Sequence, residues 1–161
     1  MVRRLFQLFS RKAMFYDDEI ELVLSDEDVS DLECGIEDGF TFCIYPRGSR
    51  KYAGYVSLRL GESGALYYLG HIGYRVEPEF RGRGYAGKAC RLIIPLIERL
   101  GLESVVITTN TDNIPSRKTC EKLGCTLERI APVPIAYQAI CAGATKKCRY
   151  IWRISPRACR K

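Results

Sequence analysis

The spacing of apolar and polar side chains divides the chain into elements. Residues 19–24 alternate acidic and apolar positions, the pattern of a strand with one covered face. Ser25 and Asp28 then predict a capped short helix over 26–34. Residues 40–45 and 52–60 are rich in aromatic and β-branched side chains and read as a second and a third strand. Pro46, Arg47, Gly48 and Ser49 supply the turn between them. Gly61, Glu62, Ser63 and Gly64 predict a tight hairpin into a long fourth strand over 65–76.

The period then changes. Ala86, Ala89, Cys90, Ile93, Ile94 and Ile97 recur at helical spacing within about 85–100. Pro95 lies inside that span. A mid-helix proline loses a hydrogen bond and costs roughly 3 kcal/mol, so a kink or an early break is expected there, and Gly101 ends the helix. Residues 105–109 are apolar and β-branched, as in a buried parallel strand. A helix over 115–123 follows, with Asn113 as its cap and Gly124 as its stop. Residues 125–130 and 149–154 read as the last two strands, joined by a long loop over 131–146. The order is strands with one short helix, then βαβαβ, then loop and strand. It predicts an α/β (α+β) chain with one mixed sheet and helices on its faces.

Composition narrows the class. At 161 residues the chain suits one domain with a real core, and no window approaches the apolar length of a membrane span. The eight cysteines have no paired zinc spacing, so free thiols in a reducing cytoplasm are expected and no metal. The net charge of +6 is uneven. Residues 1–13 form a basic, amphipathic appendage, and residues 14–161 read as the single domain. No acid follows Glu128, while Lys146, Lys147, Arg149, Arg153, Arg157, Arg160 and Lys161 accumulate. Basic ends raise the prospect of nucleic acid or a membrane. Without interleaved exposed aromatics they read as solvated termini, with no nucleic-acid or membrane partner expected. An exposed final strand would support a homodimer.

The chemistry gathers in 69–88, LGHIGYRVEPEFRGRGYAGK, a strand that runs through a glycine- and arginine-rich loop into a helix. The unpaired N–H groups of a helix N-terminus and its dipole favour an anion such as a pyrophosphate. Gly82 and Gly84 let backbone approach closely, and Arg81 and Arg83 add positive charge. By spelling, Gly82, Gly84 and Gly87 fit a dinucleotide fingerprint. Gly82, Gly87 and Lys88 nearly fit a P-loop, but Ala89 stands where a metal-binding hydroxyl is needed. Five residues separate strand from glycine, and the upstream elements look like hairpins rather than a crossover, against the dinucleotide reading.

Arg81, Gly84 and Ala86 also fit R-x-x-G-x-A, the pyrophosphate loop of the GNAT superfamily of acyl-CoA N-acyltransferases. A second block, Asn110 to Ser116 and then Cys120-Glu121-Lys122-Leu123-Gly124-Cys125, resembles that family's N-x-x-S/A…Y-E-K-L-G-F segment. Over 19–154 the chain resembles bacterial acetyltransferases of this superfamily whose substrates are unassigned. The resemblance implies a mixed, mostly antiparallel seven-stranded sheet with a splayed central pair. It also implies acetyl-CoA as co-substrate and an N-acetyltransferase acting by direct attack of an amine in a ternary complex. Tyr74, Arg75 and Val76 would offer backbone groups to the pantetheine arm and thioester. Arg81, Gly82, Arg83, Gly84, Tyr85 and Ala86 would hold the pyrophosphate. Asn113 and Ser116 would reach the pantetheine, and Arg117 an outer phosphate, although the first two serve equally as helix caps.

Catalytic residues are less legible. Cys120 stands where the family often has a proton-donating tyrosine, and a buried thiol is more often simply a small hydrophobe. Tyr74 is the other weak candidate. His71, the only histidine, points away from the cleft by strand parity. The acceptor is a small molecule or peptide bearing an amine, and Tyr67, Tyr68, Tyr74 and Tyr137 could line its site. The absent tyrosine keeps one rival open, a non-catalytic acyl-CoA-binding or regulatory module, and the basic ends keep another behind it, a nucleic-acid-binding protein.

Overall fold

Residues 15–25 and 30–154 are described by the computed structural model. Strand β1 (Phe15–Tyr16) pairs with β2 (Ile20–Leu24), β2 with β3 (Asp38–Pro46), β3 with β4 (Gly54–Leu60), and β4 with β5 (Ile72–Val76), all antiparallel. The direction then changes. Strand β6 (Ser104–Asn110) lies parallel to β5, and β8 (Lys146–Arg153) and β7 (Thr126–Pro132) complete one eight-stranded sheet, ordered β1-β2-β3-β4-β5-β6-β8-β7. The count exceeds the expected seven because Phe15–Tyr16 adds a two-residue edge.

One face of this sheet carries the core. Ile20, Leu22, Phe40, Phe42, Ile44, Val56, Leu58, Ile72, Val105, Ile107, Tyr150 and Trp152 are buried there at alternate strand positions. They meet helices α2 (Tyr85–Leu92), α3 (Ile94–Arg99) and α4 (Ile114–Leu123) through Ala89, Cys90, Ile93, Leu96, Ile97, Cys120 and Leu123. We call this the back. On the front, Thr41 and Ser57 share a buried hydroxyl hydrogen bond of 2.7 Å. Thr108 Oγ1 donates to the Tyr68 carbonyl, 2.8 Å away, and so ties helix α1 (Gly64–Leu69) to β6. The short α5 (Ile135–Gln138) packs beside α1, with the Tyr68 and Tyr137 rings 5.4 Å apart.

Four expectations change. The long strand over 65–76 is a helix and a shorter strand. Ser63 caps Gly64–Leu69 by accepting from the Leu66 N–H at 3.0 Å, and Gly70 ends it at φ 76°. Residues 61–64 therefore lead into a helix, not a hairpin, and β5 begins only at Ile72. Of the predicted helix over 26–34, residues 26–29 lie outside the described residues. The rest is a turn closed by reciprocal backbone bonds between Asp31 and Ile36. The loop over 131–146 holds α5, and the last strand starts at Lys146 rather than 149. That last strand is not an exposed edge, because β8 is paired on both sides and β7 is the edge. The break at Pro95 occurs as expected: α2 stops at Leu92, Ile93 adopts φ −87° and ψ 0°, and the proline sits in the first turn of α3. The appendage assigned to 1–13 lies outside the described residues.

The sheet is weakest between β5 and β6. Only Ile72 and Ile107 are register partners there, whereas β4–β5 and β6–β8 pair along their lengths. Replacing Ser63 by Ala should cost about 1–2 kcal/mol in urea unfolding, since it uncaps α1 and removes a 2.5 Å bond to the Cys34 carbonyl. A strand through 65–76 would lose far less. By amide hydrogen exchange, Tyr74 and Val76 should exchange faster than Gly73 and Arg75; equal protection would mean a closed sheet.

Candidate active site

Two features lie at the end of β5. The first is the loop into α2. Glu77 leaves the strand extended, Pro78–Phe80 make one 3-10 turn, and Gly82 (φ 80°) and Gly84 (φ 74°) take the left-handed conformation. Gly84 is the N-cap residue of α2. It has no capping side chain and there is no acid in the first turn, so among the described residues Tyr85, Ala86 and Gly87 keep unpartnered first-turn donors. The first intrahelical bond runs from Lys88 N–H to Gly84 O at 3.1 Å. A Cβ built at Gly82 or Gly84 would meet nothing within 4 Å, so an anion has access to these amides. Arg81 folds back and donates from Nε to the Val76 carbonyl at 3.0 Å, tying the loop to the strand. Arg83 lies over the Phe80 ring at 5.5 Å, and Phe80 stacks on Tyr85. Lys88 pairs with Glu19 of the β1–β2 turn. The loop has the donors, space and charge that a diphosphate requires.

The second feature is the gap itself. Glu77 N–H bonds to Ala53 O on the β4 side at 2.8 Å. Alternation then turns Arg75 toward β4 and Tyr74 and Val76 toward the gap. The Arg75 side chain is exposed, 3.6 Å from Glu77. A cavity of about 440 Å³ opens between the strands, with Ile72, Gly73 and Tyr74 on one wall and Thr108, Thr109 and Asn110 on the other.

Tyr74 reaches toward α4. Its hydroxyl shares a 2.8 Å hydrogen bond with Ser116 Oγ and lies 4.0 Å from Cys120 Sγ. Burial pushes the phenol well above its ordinary range, so it stays protonated at neutral pH. Cys120 is fully buried. The hydrogen bond it shares with Cys125, and then burial, push its thiol up as well. Asn113 is a helix cap that accepts the Ser116 N–H at 3.2 Å, though both residues also line the cavity. Arg117 is anchored on the Thr111 carbonyl at 3.1 Å and the Tyr150 hydroxyl at 3.4 Å.

The structure thus brings Tyr74, Asn113 and Ser116 to the cavity, while the residues of the 81–86 loop sit outside its lining. Tyr67, Tyr68 and Tyr137 do not line it; they pack together between α1 and α5. Nδ1 of His71 accepts the Val106 N–H at 3.0 Å, and burial, then Arg149, lower its pKa, so the imidazole braces the β5–β6 seam as a neutral ring. Sequence reasoning missed Arg59 and Lys147, which both line the cavity. Strand parity held the signal for the first, since Tyr55, Ser57 and Arg59 alternate onto the front. Among the described residues seven cysteines are free, no group of three His, Cys, Asp or Glu could hold a metal ion, and no helix is long and apolar enough to cross a membrane.

Comparison with known proteins agrees with this geometry. The family model of the acetyltransferase (GNAT) domain matches residues 3–126. No curated protein matches the chain. Among solved structures, the chain is similar to the ribosomal-protein-S5-alanine acetyltransferase of Vibrio fischeri, at 21% identity over 73% of this chain and 62% of that one, with a TM-score of 0.58. It is similar to apo RimL, a ribosomal L7/L12 alpha-N-protein acetyltransferase, at 16% identity over 89% and 94% of the two chains, with a TM-score of 0.61. It is also similar to the microcin C7 self-immunity acetyltransferase MccE, solved with acetyl-CoA and AMP, at 25% identity over 72% and 61%, with a TM-score of 0.53. The chain spans 62% of the Vibrio fischeri protein and 94% of RimL, and at these identities both share its fold. A family model that covers most of the chain, over a glycine loop and a parted strand pair, places this protein in the GNAT acetyltransferase family.

Proposed function

We propose that the protein transfers an acetyl group from acetyl-CoA to a primary amine by direct attack within a ternary complex. The observation that carries this reading is the parting of β5 from β6 beside the uncapped N-terminus of α2. Acetyl-CoA supplies the thioester carbonyl and a thiolate leaving group. The amides of the 81–86 bend would hold its diphosphate, with Arg81 and Arg83 adding charge. Tyr74 and Val76 would pair with the pantetheine arm as a neighbouring strand would, one N–H polarising the carbonyl. Asn113 and Ser116 would flank that arm, and Arg117 lies at the far end of α4 from Gly124 for an outer phosphate.

The chain's own groups then handle the protons. No residue lining the cavity carries a carboxylate. The positive field of Arg59 and Lys147 favours an uncharged amine there, and the amine's surplus proton leaves to water. As nitrogen bonds to carbon and the carbon–sulfur bond breaks, the departing sulfur needs a proton. The Tyr74 hydroxyl supplies it, and Ser116 Oγ, 2.8 Å away, relays a replacement from solvent. Tyr74 thus does, from the strand, what a tyrosine at position 120 would do from the helix. Cys120 in that position also favours one rival, an acyl-CoA-binding module without turnover, which release of free thiol on mixing with amines excludes.

Gly84→Glu should abolish acetyl-CoA binding by calorimetry while leaving the circular dichroism spectrum unchanged, because a side chain and a negative charge would occupy the anion site. Unaltered affinity would move the diphosphate elsewhere. Tyr74→Phe should lower kcat by about 100-fold or more, and by a similar factor at every pH assayed because the raised phenol does not titrate in that range, with little change in the KM for acetyl-CoA. Cys120→Ala should keep most activity. The reverse order of effects would make the thiol the proton donor.

A further inference from the structure

The front of the cavity carries positive charge and no negative charge. Arg59 enters from β4. Its guanidinium lies across β5 at Gly73, where a Cβ would come within 2.6 Å of Nη2, so the glycine makes its seat. Its Nη1 donates to the carbonyls of Gly70 at 3.2 Å and Leu69 at 3.4 Å. Lys147 enters from β8 and donates from Nζ to Asn110 Oδ1 at 2.7 Å. Burial lowers the pKa of both cations, and Arg59 lowers that of Lys147 further. Among the described residues neither has an ion-pair partner, whereas Arg149 on the same face is paired with Glu128 at 2.8 Å. None of the sixteen lining residues is Asp or Glu. The phosphate loop is a separate feature, since none of residues 81–86 lines this cavity.

Holding two half-buried like charges in one cavity with only dipoles around them is unfavourable. An oxyanion between them would relieve that cost through charge-assisted hydrogen bonds. The acceptor faces the same field. A bare ammonium is repelled by Arg59 and Lys147, while an amine with its own anion is not. The cavity is small, about 440 Å³, and is walled by Ile140, Cys141 and Ala142 after α5.

We propose that the acceptor is a small amine that carries its own oxyanion, a carboxylate or a phosphate, docked between Arg59 and Lys147 while its nitrogen faces the thioester. The proposal rests on the acetyl-transfer reading and adds the acceptor's class.

The test uses matched acceptors with the full chain and acetyl-CoA: β-alanine against propylamine, O-phosphoethanolamine against ethanolamine, and Asp-Ala amide against Asn-Ala amide. The anionic member of each small pair should have kcat/KM about 10- to 100-fold higher. That ratio should collapse toward one in Arg59→Gln and in Lys147→Gln, and return in part in Arg59→Lys. Without turnover, β-alanine or O-phosphoethanolamine should raise the Tm of the wild-type protein but not of Arg59→Gln. Equal use of the neutral members, or a ratio unchanged in both glutamine variants, overturns the anion site. A preference confined to the Asp peptide overturns the small-molecule class. Failure to bind acetyl-CoA would instead overturn the acetyl-transfer reading, and a Tm shift lost in Arg59→Gln would still uphold the anion site.

Discussion

The separation of β5 from β6 after Ile72 is the constraint on which the rest of the molecule depends. Parallel strands that stay together satisfy each other's amides and carbonyls and leave nothing for a ligand. Here one register pair, Ile72 with Ile107, and the bonds between His71 and Val106 just before it hold the strands at the base of the gap. The separation is tolerable because the back of the sheet does not part with it. Ile72, Ile107, Tyr150, Cys90, Ile93 and Cys120 belong to one continuous core, so the helices bridge beneath the gap. The open edge is therefore short, walled and recessed, unlike the exposed edge strands that invite aggregation.

Two electrostatic environments border the gap, and they differ in kind. At the mouth of α2 the positive character comes mainly from backbone. Left-handed glycines expose first-turn amides, and no side chain competes for them. On the front it comes from Arg59 and Lys147, held by carbonyl and amide oxygens rather than by acids. Backbone amides suit a ligand group that is the same in every turnover, because they are rigid and oriented. Side-chain cations suit a group that varies with the acceptor. The absence of carboxylates among the lining residues also separates this site from one built around a carboxylate base.

In the proposed mechanism the contact between Tyr74 and α4 lets one proton donor stand in for another. A side chain at position 120 faces the core, and Cys there is buried among Tyr74, Cys90 and Cys125. The space that a larger residue would need is taken by the Tyr74 ring, whose hydroxyl ends at Ser116. Burial keeps that phenol protonated, so its donor form is the one present, and in the proposed step it gives up the proton only as thiolate charge builds beside it.

Much of this was legible in the chain. The end of the strand ahead of the glycine loop at Val76, the helix after it, the break at Pro95, the cap at Asn113 and the stop at Gly124 depend on interactions within a few residues, and pattern captures such interactions. The glycines at 82 and 84 marked a loop where backbone can approach a ligand closely, and the structure adds that both are left-handed. The segment 65–76 misled because Leu66, Tyr67, Tyr68 and Leu69 suit a strand as well as a helix, and one hydroxyl, Ser63 capping Leu66, decides between them. What only the tertiary structure decided is which side chains share the gap. Tyr74 meets Ser116 across 42 residues, and Arg59 and Lys147 converge from strands on opposite sides of the β5–β6 pair. Such meetings depend on register and on where two strands separate, and those are set by packing between distant segments rather than by the period within any one of them.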